Sequence, residues 1–169
     1  MPGPHPAQQP EAQAVQHYLQ EALAKLVAQD AYLLANDLNE RTITHKLAEY
    51  LQPLFPDRNV DCEYNRDGHE PKRVRLQPAG EGPPDLGSYV YPDIIVHQRG
   101  TNDHNLLIIE AKKAYRNNDA IDHDRAKVEA FASDLRYRFG AVVVFKVTHE
   151  NPECRAFFYS DHRWTELGA

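Results

Sequence analysis

The chain has little cysteine and no long apolar run, and both shortages limit what it can be. Its 169 residues include two cysteines, Cys62 and Cys154, which lie far apart and outside any CxxC pattern. This spacing excludes a zinc ribbon and argues against a disulfide scaffold, so a reducing cytoplasm is the simplest location. No apolar stretch approaches the length of a membrane span, and the N-terminus lacks the basic and apolar regions of a secretory signal. We therefore predict a cytoplasmic protein without a membrane segment.

The chain also has no excess of basic over acidic residues. The formal net charge is −6, which is the wrong sign for a protein whose whole surface binds nucleic acid. A local basic groove is still compatible with this charge. So is a site that gathers carboxylates around a divalent metal ion. Net charge alone does not separate the two.

The residues that are present suit one domain of ordinary size. Hydrophobic residues make up 41% of the chain, which is normal for a globular protein. The Pro-rich residues 1–10 predict a flexible tail, and 11–169 predict a single domain with its core at about 37–160. Residues 67–88 are rich in Gly, Pro and charge, so they predict a long loop, with a short strand possible at 72–76.

Apolar periodicity predicts alternating helices and strands. Helical spacing covers 11–35, and a second helix runs from about Glu40 to Leu54. A third predicted helix covers 120–138, with Gly140 as its cap. The predicted strands are 59–66, 89–98, 105–113, the β-branched run 141–148 and a last strand at 154–160. This order predicts an α/β (or α+β) layer fold, in which helices flank a mixed sheet and one extra helix precedes the core.

Two of the predicted strands carry charges where a buried strand should be apolar. Asp93 precedes the run "IIVH", and Glu110 and Lys112 follow "LLII". Side chains alternate across a strand, so Glu110 and Lys112 share one face and Lys113 points to the other. If the two strands form a hairpin, Asp93 approaches Glu110 across the ladder. Two acids and one lysine would then converge at one end of a sheet.

Two close carboxylates repel each other unless a cation offsets their charge. Mg²⁺ prefers oxygen ligands and often uses only one or two carboxylates, with water and substrate phosphate in its other positions. A bound metal ion lowers the pKa of water and neutralises charge that grows on a phosphate. A neighbouring lysine can position or deprotonate that water, or stabilise the transition state.

The pattern Pro92-Asp93 followed by Glu110-Ala111-Lys112 resembles the PD-(D/E)XK nuclease superfamily. The predicted element order also resembles the αβββαβ restriction-endonuclease-like core of that superfamily. The resemblance implies that Asp93, Glu110 and the carbonyl of Ala111 bind Mg²⁺ (or Mn²⁺) and that Lys112 acts on the water. It also implies the hydrolysis of phosphodiester bonds, usually in DNA.

Members of the superfamily often have one more acid on the first core helix, and Glu40 occupies that place. It extends the apolar stripe of Ile43, Leu47 and Leu54, so its side chain is predicted to face the sheet. An ordinary acid at a helix N-terminus is the alternative. The segments "NERTITHKLAEYL" and "CEYNR" strengthen the site interpretation, since they resemble small bacterial restriction-endonuclease-like proteins. On the site interpretation, Glu40 binds a second metal ion or a water.

Several other residues compete for roles in this site. Pro84-Asp85 is a rival for Pro92-Asp93, but it lies in the predicted loop rather than on a strand. Glu63 is either a further ligand or an exposed strand acid. Asp124 is predicted to lie beside the site, whereas Lys127 is better explained as a residue on the exposed face of its helix. The sequence "DHD" at 122–124 is interpreted as a helix cap rather than a metal site.

The best basic cluster for binding backbone phosphates is Lys72, Arg73 and Arg75. Weaker candidates are Arg116, Arg125, Arg136 and Arg138. The sequence therefore predicts a Mg²⁺-dependent deoxyribonuclease that is a homodimer or part of a larger complex. The alternatives are a nuclease fold that binds nucleic acid or acts as a structural subunit without cutting, an RNA-acting nuclease, and an interaction domain that dimerises through its N-terminal helix.

Overall fold

A computed structural model of the chain describes residues 10–64, 66–67, 70–71, 73–74, 88–89, 91–113, 119–146 and 150–168. The helices are α1 (Ala12–Gln29), α2 (Ala31–Ala35), α3 (Glu40–Leu51) and α4 (Asp119–Asp134), with a short 3-10 turn at Gln52–Leu54. The longer strands are β1 (Asn59–Cys62), β6 (Ile94–His97), β7 (Leu107–Lys113), β8 (Phe139–Lys146), β9 (Glu153–Ser160) and β10 (Arg163–Leu167). Four two-residue strands lie between β1 and β6: β2 (Arg66–Asp67), β3 (Glu70–Pro71), β4 (Arg73–Val74) and β5 (Ser88–Tyr89).

The six longer strands form one mixed sheet in the order β1-β6-β7-β8-β9-β10. All neighbouring strands are antiparallel except β7 and β8, which are parallel and are joined through α4. A parallel pair requires such a crossover, and a helix commonly provides it. The predicted α/β class, with helices against a mixed sheet and a helix before the core, is therefore confirmed.

Alternation along β6 and β7 sends side chains to two separate cores. Ile94 and Ile109 pack in the core that contains α1 and α3, whereas Ile95 and Ile108 pack in the core beneath α4. These residues also face each other in the β6–β7 register, so the predicted hairpin is confirmed. No described helix combines the length and the apolar character needed to cross a membrane.

The strand β8 lies at the centre of the sheet, as its apolar run predicts. Every residue from Phe139 to Phe145 is buried, because β7 and β9 flank the strand and helices cover both faces of the sheet.

The prediction that Gly140 caps the preceding helix is wrong. The helix α4 already ends at Asp134, and Gly140 lies within β8. A Cβ placed there would lie 2.2 Å from Cγ1 of Val128, so the glycine permits α4 to approach the strand closely.

Other elements also differ from the prediction: the helix predicted at 11–35 is divided into α1 and α2, and the strand predicted at 59–66 ends at Cys62. The helix α3 ends at Leu51, and the 3-10 turn that follows contains Pro53, whose ring does not fit a continuing α-helix. The strand at 154–160 is not the last one, because β10 follows it after a turn at Asp161 and His162. Residues 122–124 lie inside α4 rather than at its cap. The predicted tail at 1–10 lies, apart from Pro10, outside the described residues.

Candidate active site

Asp93 and Glu110 meet at one end of the β6–β7 hairpin. The register pairs Ile94 with Ile109, and one further step along each strand places Asp93 opposite Glu110. Side chains in such facing positions have Cβ atoms about 4.5–5.5 Å apart. Asp93 is fixed there because its Oδ2 accepts a hydrogen bond from the backbone N–H of Ala111 at 2.7 Å. The hairpin therefore brings the two predicted acids together.

Glu110 is a buried carboxylate with one oxygen unused. Glu110 is only 2% exposed. Oε2 accepts a hydrogen bond from Nζ of Lys127 at 2.6 Å, while Oε1 is buried and has no hydrogen-bond partner in the part of the chain that the structure describes. Burial and, next, the nearby charge of Asp93 raise the pKa of Glu110 to about 8, even though Lys127 acts to lower it. Burial likewise raises the pKa of Asp93, although the Ala111 hydrogen bond and Lys127 counteract it. A further cation beside the Lys127 ammonium would reduce the repulsion between the two carboxylates.

Lys112 shares the α4 face with Glu110, as strand parity predicts. Its Nζ lies 3.5 Å from Oδ2 of Asp124 on α4, and its side chain is 36% exposed. Burial lowers the pKa of Lys112, but the charges of Asp124 and Glu40 outweigh it and leave the pKa above its ordinary value. Lys112 is therefore a charged ammonium at neutral pH. Asp124 lies beside the site as predicted, and it is 2% exposed.

Lys113 points to the opposite face, also as predicted. Its Nζ contacts Oδ1 of Asp37 at 2.8 Å, just before α3. Its backbone N–H donates to Oε2 of Glu40 at 2.9 Å. Glu40 is the first residue of α3, and this hydrogen bond attaches the helix N-terminus to the end of β7. Glu40 thus faces the sheet, as its position on the apolar stripe predicts.

Glu40 and Asp93 line a shared cavity of about 220 Å³. Glu63 also lines it and pairs with Arg41, whose Nε lies 3.0 Å from the Glu63 carboxylate. The cavity lies between the start of α3, the end of β1 and the start of β6. It is open space that adjoins Asp93, so a bound molecule could reach that carboxylate there.

Lys127 is the residue that sequence reasoning misplaced. It was explained as an exposed helix-face lysine, but its side chain is 21% exposed and its ammonium contacts Glu110. Asp124 and Lys127 are three residues apart on α4 and therefore lie on one face of the helix. Val128 and Phe131, which are buried beneath the same helix, continue that face. The spacing of Asp124 and Lys127 against this apolar face was the available signal.

Comparison of the chain with protein-family models, curated proteins and solved structures gives no match. The site must therefore be judged on its own residues.

Most of the best basic cluster predicted to bind phosphate falls outside the described residues. Lys72 and Arg75 are outside the described residues, as are Asp85 and Arg116, and Arg73 belongs to β4. Arg125 stacks on Phe157, with its guanidinium carbon 4.5 Å from the ring centroid. The predicted phosphate contacts of the Lys72 cluster remain predictions.

The oxygen atoms at the site suit a hard divalent cation held by few protein ligands. The ligand atoms that Asp93, Glu110 and the Ala111 carbonyl would offer a metal ion are all oxygens. Among the described residues, none donates a hydrogen bond to the buried Oε1 of Glu110. Mg²⁺ typically uses such a small set together with water and phosphate. Within the described ranges, no three His, Cys, Asp or Glu side chains form a cluster that could bind a metal ion. Oε2 of Glu40 accepts the Lys113 N–H.

Proposed function

We propose that this chain is a metal-dependent nuclease of the PD-(D/E)XK type that hydrolyses phosphodiester bonds in DNA. The observation that carries the proposal concerns Oε1 of buried Glu110, which has no hydrogen-bond partner among the described residues and lies opposite Asp93, with Lys112 on the same strand face. A fold that places two acids at a strand end without neutralising both has a reason to bind a cation there. The acids and the lysine also match the order and spacing of the superfamily pattern.

The architecture supports the same proposal. The elements α3, β1, β6, β7, α4 and β8 follow the αβββαβ order of the restriction-endonuclease-like core. In that assignment, α1 is the additional N-terminal helix, and β9 and β10 extend the sheet beyond β8. Glu40 then stands at the start of the first core helix.

Each residue has a defined task in the proposed reaction. Asp93, Glu110 and the Ala111 carbonyl would hold Mg²⁺ or Mn²⁺. Such an ion would supply a lowered pKa for a bound water and positive charge against the phosphate. Lys112 is protonated, so it orients the attacking water or stabilises the developing charge on phosphorus-bound oxygen rather than accepting a proton. Glu40 organises a water, or a second ion, in the cavity that it shares with Asp93.

The substrate is proposed to be DNA that contacts Lys72, Arg73 and Arg75 through its phosphates. A dimer would supply two such sites, one for each strand of a duplex. The proposal therefore includes a homodimer or a larger complex in which this chain is one subunit.

A substrate panel tests the proposal. Linear, supercoiled and single-stranded DNA and RNA are incubated with the protein in Mg²⁺, Mn²⁺ or EDTA, with Lys112→Met in parallel. We expect metal-dependent cleavage of DNA that Lys112→Met slows about a hundredfold. Cleavage of RNA alone would favour the RNA-acting alternative. Binding to DNA without cleavage in any metal would favour the non-cutting nuclease fold.

A further inference from the structure

Two lysine–acid pairs link β7 to α4 at the candidate site. Lys127 on α4 contacts Glu110 on β7, and Lys112 on β7 contacts Asp124 on α4. In each pair the acid is only 2% exposed. The two pairs differ in closeness: the ammonium of Lys127 lies 2.6 Å from its carboxylate, and that of Lys112 lies 3.5 Å from its partner.

Lys127 is the lysine that neutralises the predicted metal ligands. Its ammonium bonds Glu110 directly, and its positive charge also acts on Asp93. A divalent cation bound by Glu110 and Asp93 would place its double positive charge close to the Lys127 ammonium. Like charges about 4 Å apart repel strongly where water is largely excluded. The lysine and the metal ion therefore cannot both remain in contact with Glu110 at low cost.

We propose that Lys127 is an exchangeable counter-ion: it holds Glu110 in the metal-free protein and is displaced when a divalent cation binds. This inference rests on the proposed nuclease function. Lys127 is 21% exposed and has a flexible four-carbon stem, so its ammonium can move without moving α4. Once displaced, the ammonium lies at the edge of the site, where an approaching phosphate group offers it a new partner.

The sign of one substitution effect separates this role from a structural one. A residue that only supports the site would, when removed, weaken metal binding. A competing counter-ion would, when removed, strengthen it. Lys127→Gln suits this test because the amide can still donate a hydrogen bond to Glu110 while the charge is lost.

Mn²⁺ binding is measured by isothermal titration for the wild type, Lys127→Gln and Lys127→Arg. We expect Lys127→Gln to bind Mn²⁺ about tenfold or more tightly, and Lys127→Arg to bind no more tightly than the wild type. The matched control is Lys112→Gln. It also removes one positive charge from the site, but Lys112 contacts Asp124 rather than Glu110. Its Mn²⁺ affinity should change less than that of Lys127→Gln. Thermal unfolding in EDTA confirms that each variant is folded.

The outcomes separate the two proposals. If the wild type binds no Mn²⁺ and cuts no nucleic acid, the nuclease proposal fails. If the wild type binds Mn²⁺ but Lys127→Gln binds it equally or more weakly, only the counter-ion role is overturned. Equal tightening by Lys112→Gln and Lys127→Gln would also overturn it, because the effect would then be general electrostatics. Tighter binding combined with slower cleavage by Lys127→Gln would support displacement of the ammonium toward substrate.

Discussion

Oδ2 of Asp93 accepts a hydrogen bond from the backbone N–H of Ala111 at 2.7 Å, across the β6–β7 hairpin. This contact fixes the carboxylate beside Glu110 even though the burial of Asp93 and the negative charge of Glu40 both disfavour a charged group there. The chain keeps two acids in a position that costs free energy in the absence of a cation. Such a cost is expected where function, rather than stability, selects the residue.

Asp93→Asn should therefore stabilise the metal-free protein while removing its activity. The amide oxygen can still accept the Ala111 N–H, and the repulsion from Glu110 disappears. We expect the free energy of unfolding in EDTA to rise by about 1 kcal/mol. Urea denaturation of the wild type and the variant at neutral pH measures this. Asp93→Ala is the control, since it loses the hydrogen bond as well and should not gain stability; a loss of stability in Asp93→Asn would contradict the account.

Strand parity predicts different roles for two adjacent lysines. Lys112→Met should slow DNA cleavage with little effect on stability, because the side chain is partly exposed and faces the site. Lys113→Met should lower stability instead, since the Lys113 side chain contacts Asp37 on the opposite face and is 13% exposed. Cleavage rates and thermal unfolding of both variants test this. Equal loss of cleavage in the two variants would argue against the assigned faces.

Gly140 is predicted to control how closely α4 packs on the sheet. Gly140→Ala would place a methyl group against Val128, and overpacking of this kind costs about 1–3 kcal/mol. Val128→Ala should partly rescue it, which a double-mutant cycle on urea unfolding would show as a favourable coupling. Gly168→Ala is the control, because no atom lies within 4 Å of the added carbon. Independent, additive effects at 140 and 128 would contradict the close packing.

Asp61 is predicted to stabilise the edge of the sheet in a pH-dependent way. Its carboxylate bonds Nε2 of His97 at 2.8 Å and also pairs with Arg99. Burial opposes the charge, but the hydrogen bonds from Arg99 and His97 outweigh it and lower the pKa of Asp61 below its ordinary value of 3.8. A lowered pKa in the folded state means that this stabilisation is present above the unfolded pKa and lost as pH falls through the folded one.

Asp61→Asn should therefore lower the free energy of unfolding by about 1–2 kcal/mol near pH 7. The difference from the wild type should shrink as the pH falls below about 4. Urea unfolding over this pH range measures it. Asp103→Asn, the same substitution at an exposed residue, serves as control. A difference between Asp61→Asn and the wild type that is independent of pH would show that the charge is not involved.

The sequence predicted the parts of the site that depend on strand periodicity. The alternation of side chains separated Lys112 from Lys113, and the apolar runs located the hairpin that joins Asp93 to Glu110. The stripe on α3 placed Glu40 toward the sheet. These inferences succeeded because each depends on residues that are close in the chain or in directly paired strands.

The predictions that were wrong, for Lys127 and Gly140, concern residues whose contacts depend on how α4 packs on the sheet. Lys127 looks like a solvated helix residue until the β7–α4–β8 crossover places it over Glu110. Gly140 looks like a helix cap until its strand is seen packed against Val128. The spacing along α4 can place Lys127 on the buried face of the helix, but the partner in each contact has no local signature, since the crossover brings the two residues together. A single sequence gives the faces of a helix but not its distance from a particular strand.

The most direct test of the central claim is the rate at which purified protein cuts supercoiled DNA in Mg²⁺, compared between the wild type and Asp93→Asn. The variant keeps the acceptor for the Ala111 N–H, so a fold defect is not expected to explain a loss. We predict wild-type cleavage that EDTA abolishes and a rate at least about a hundredfold lower in Asp93→Asn. Equal rates for the two proteins, or cleavage that persists in EDTA, would contradict the account.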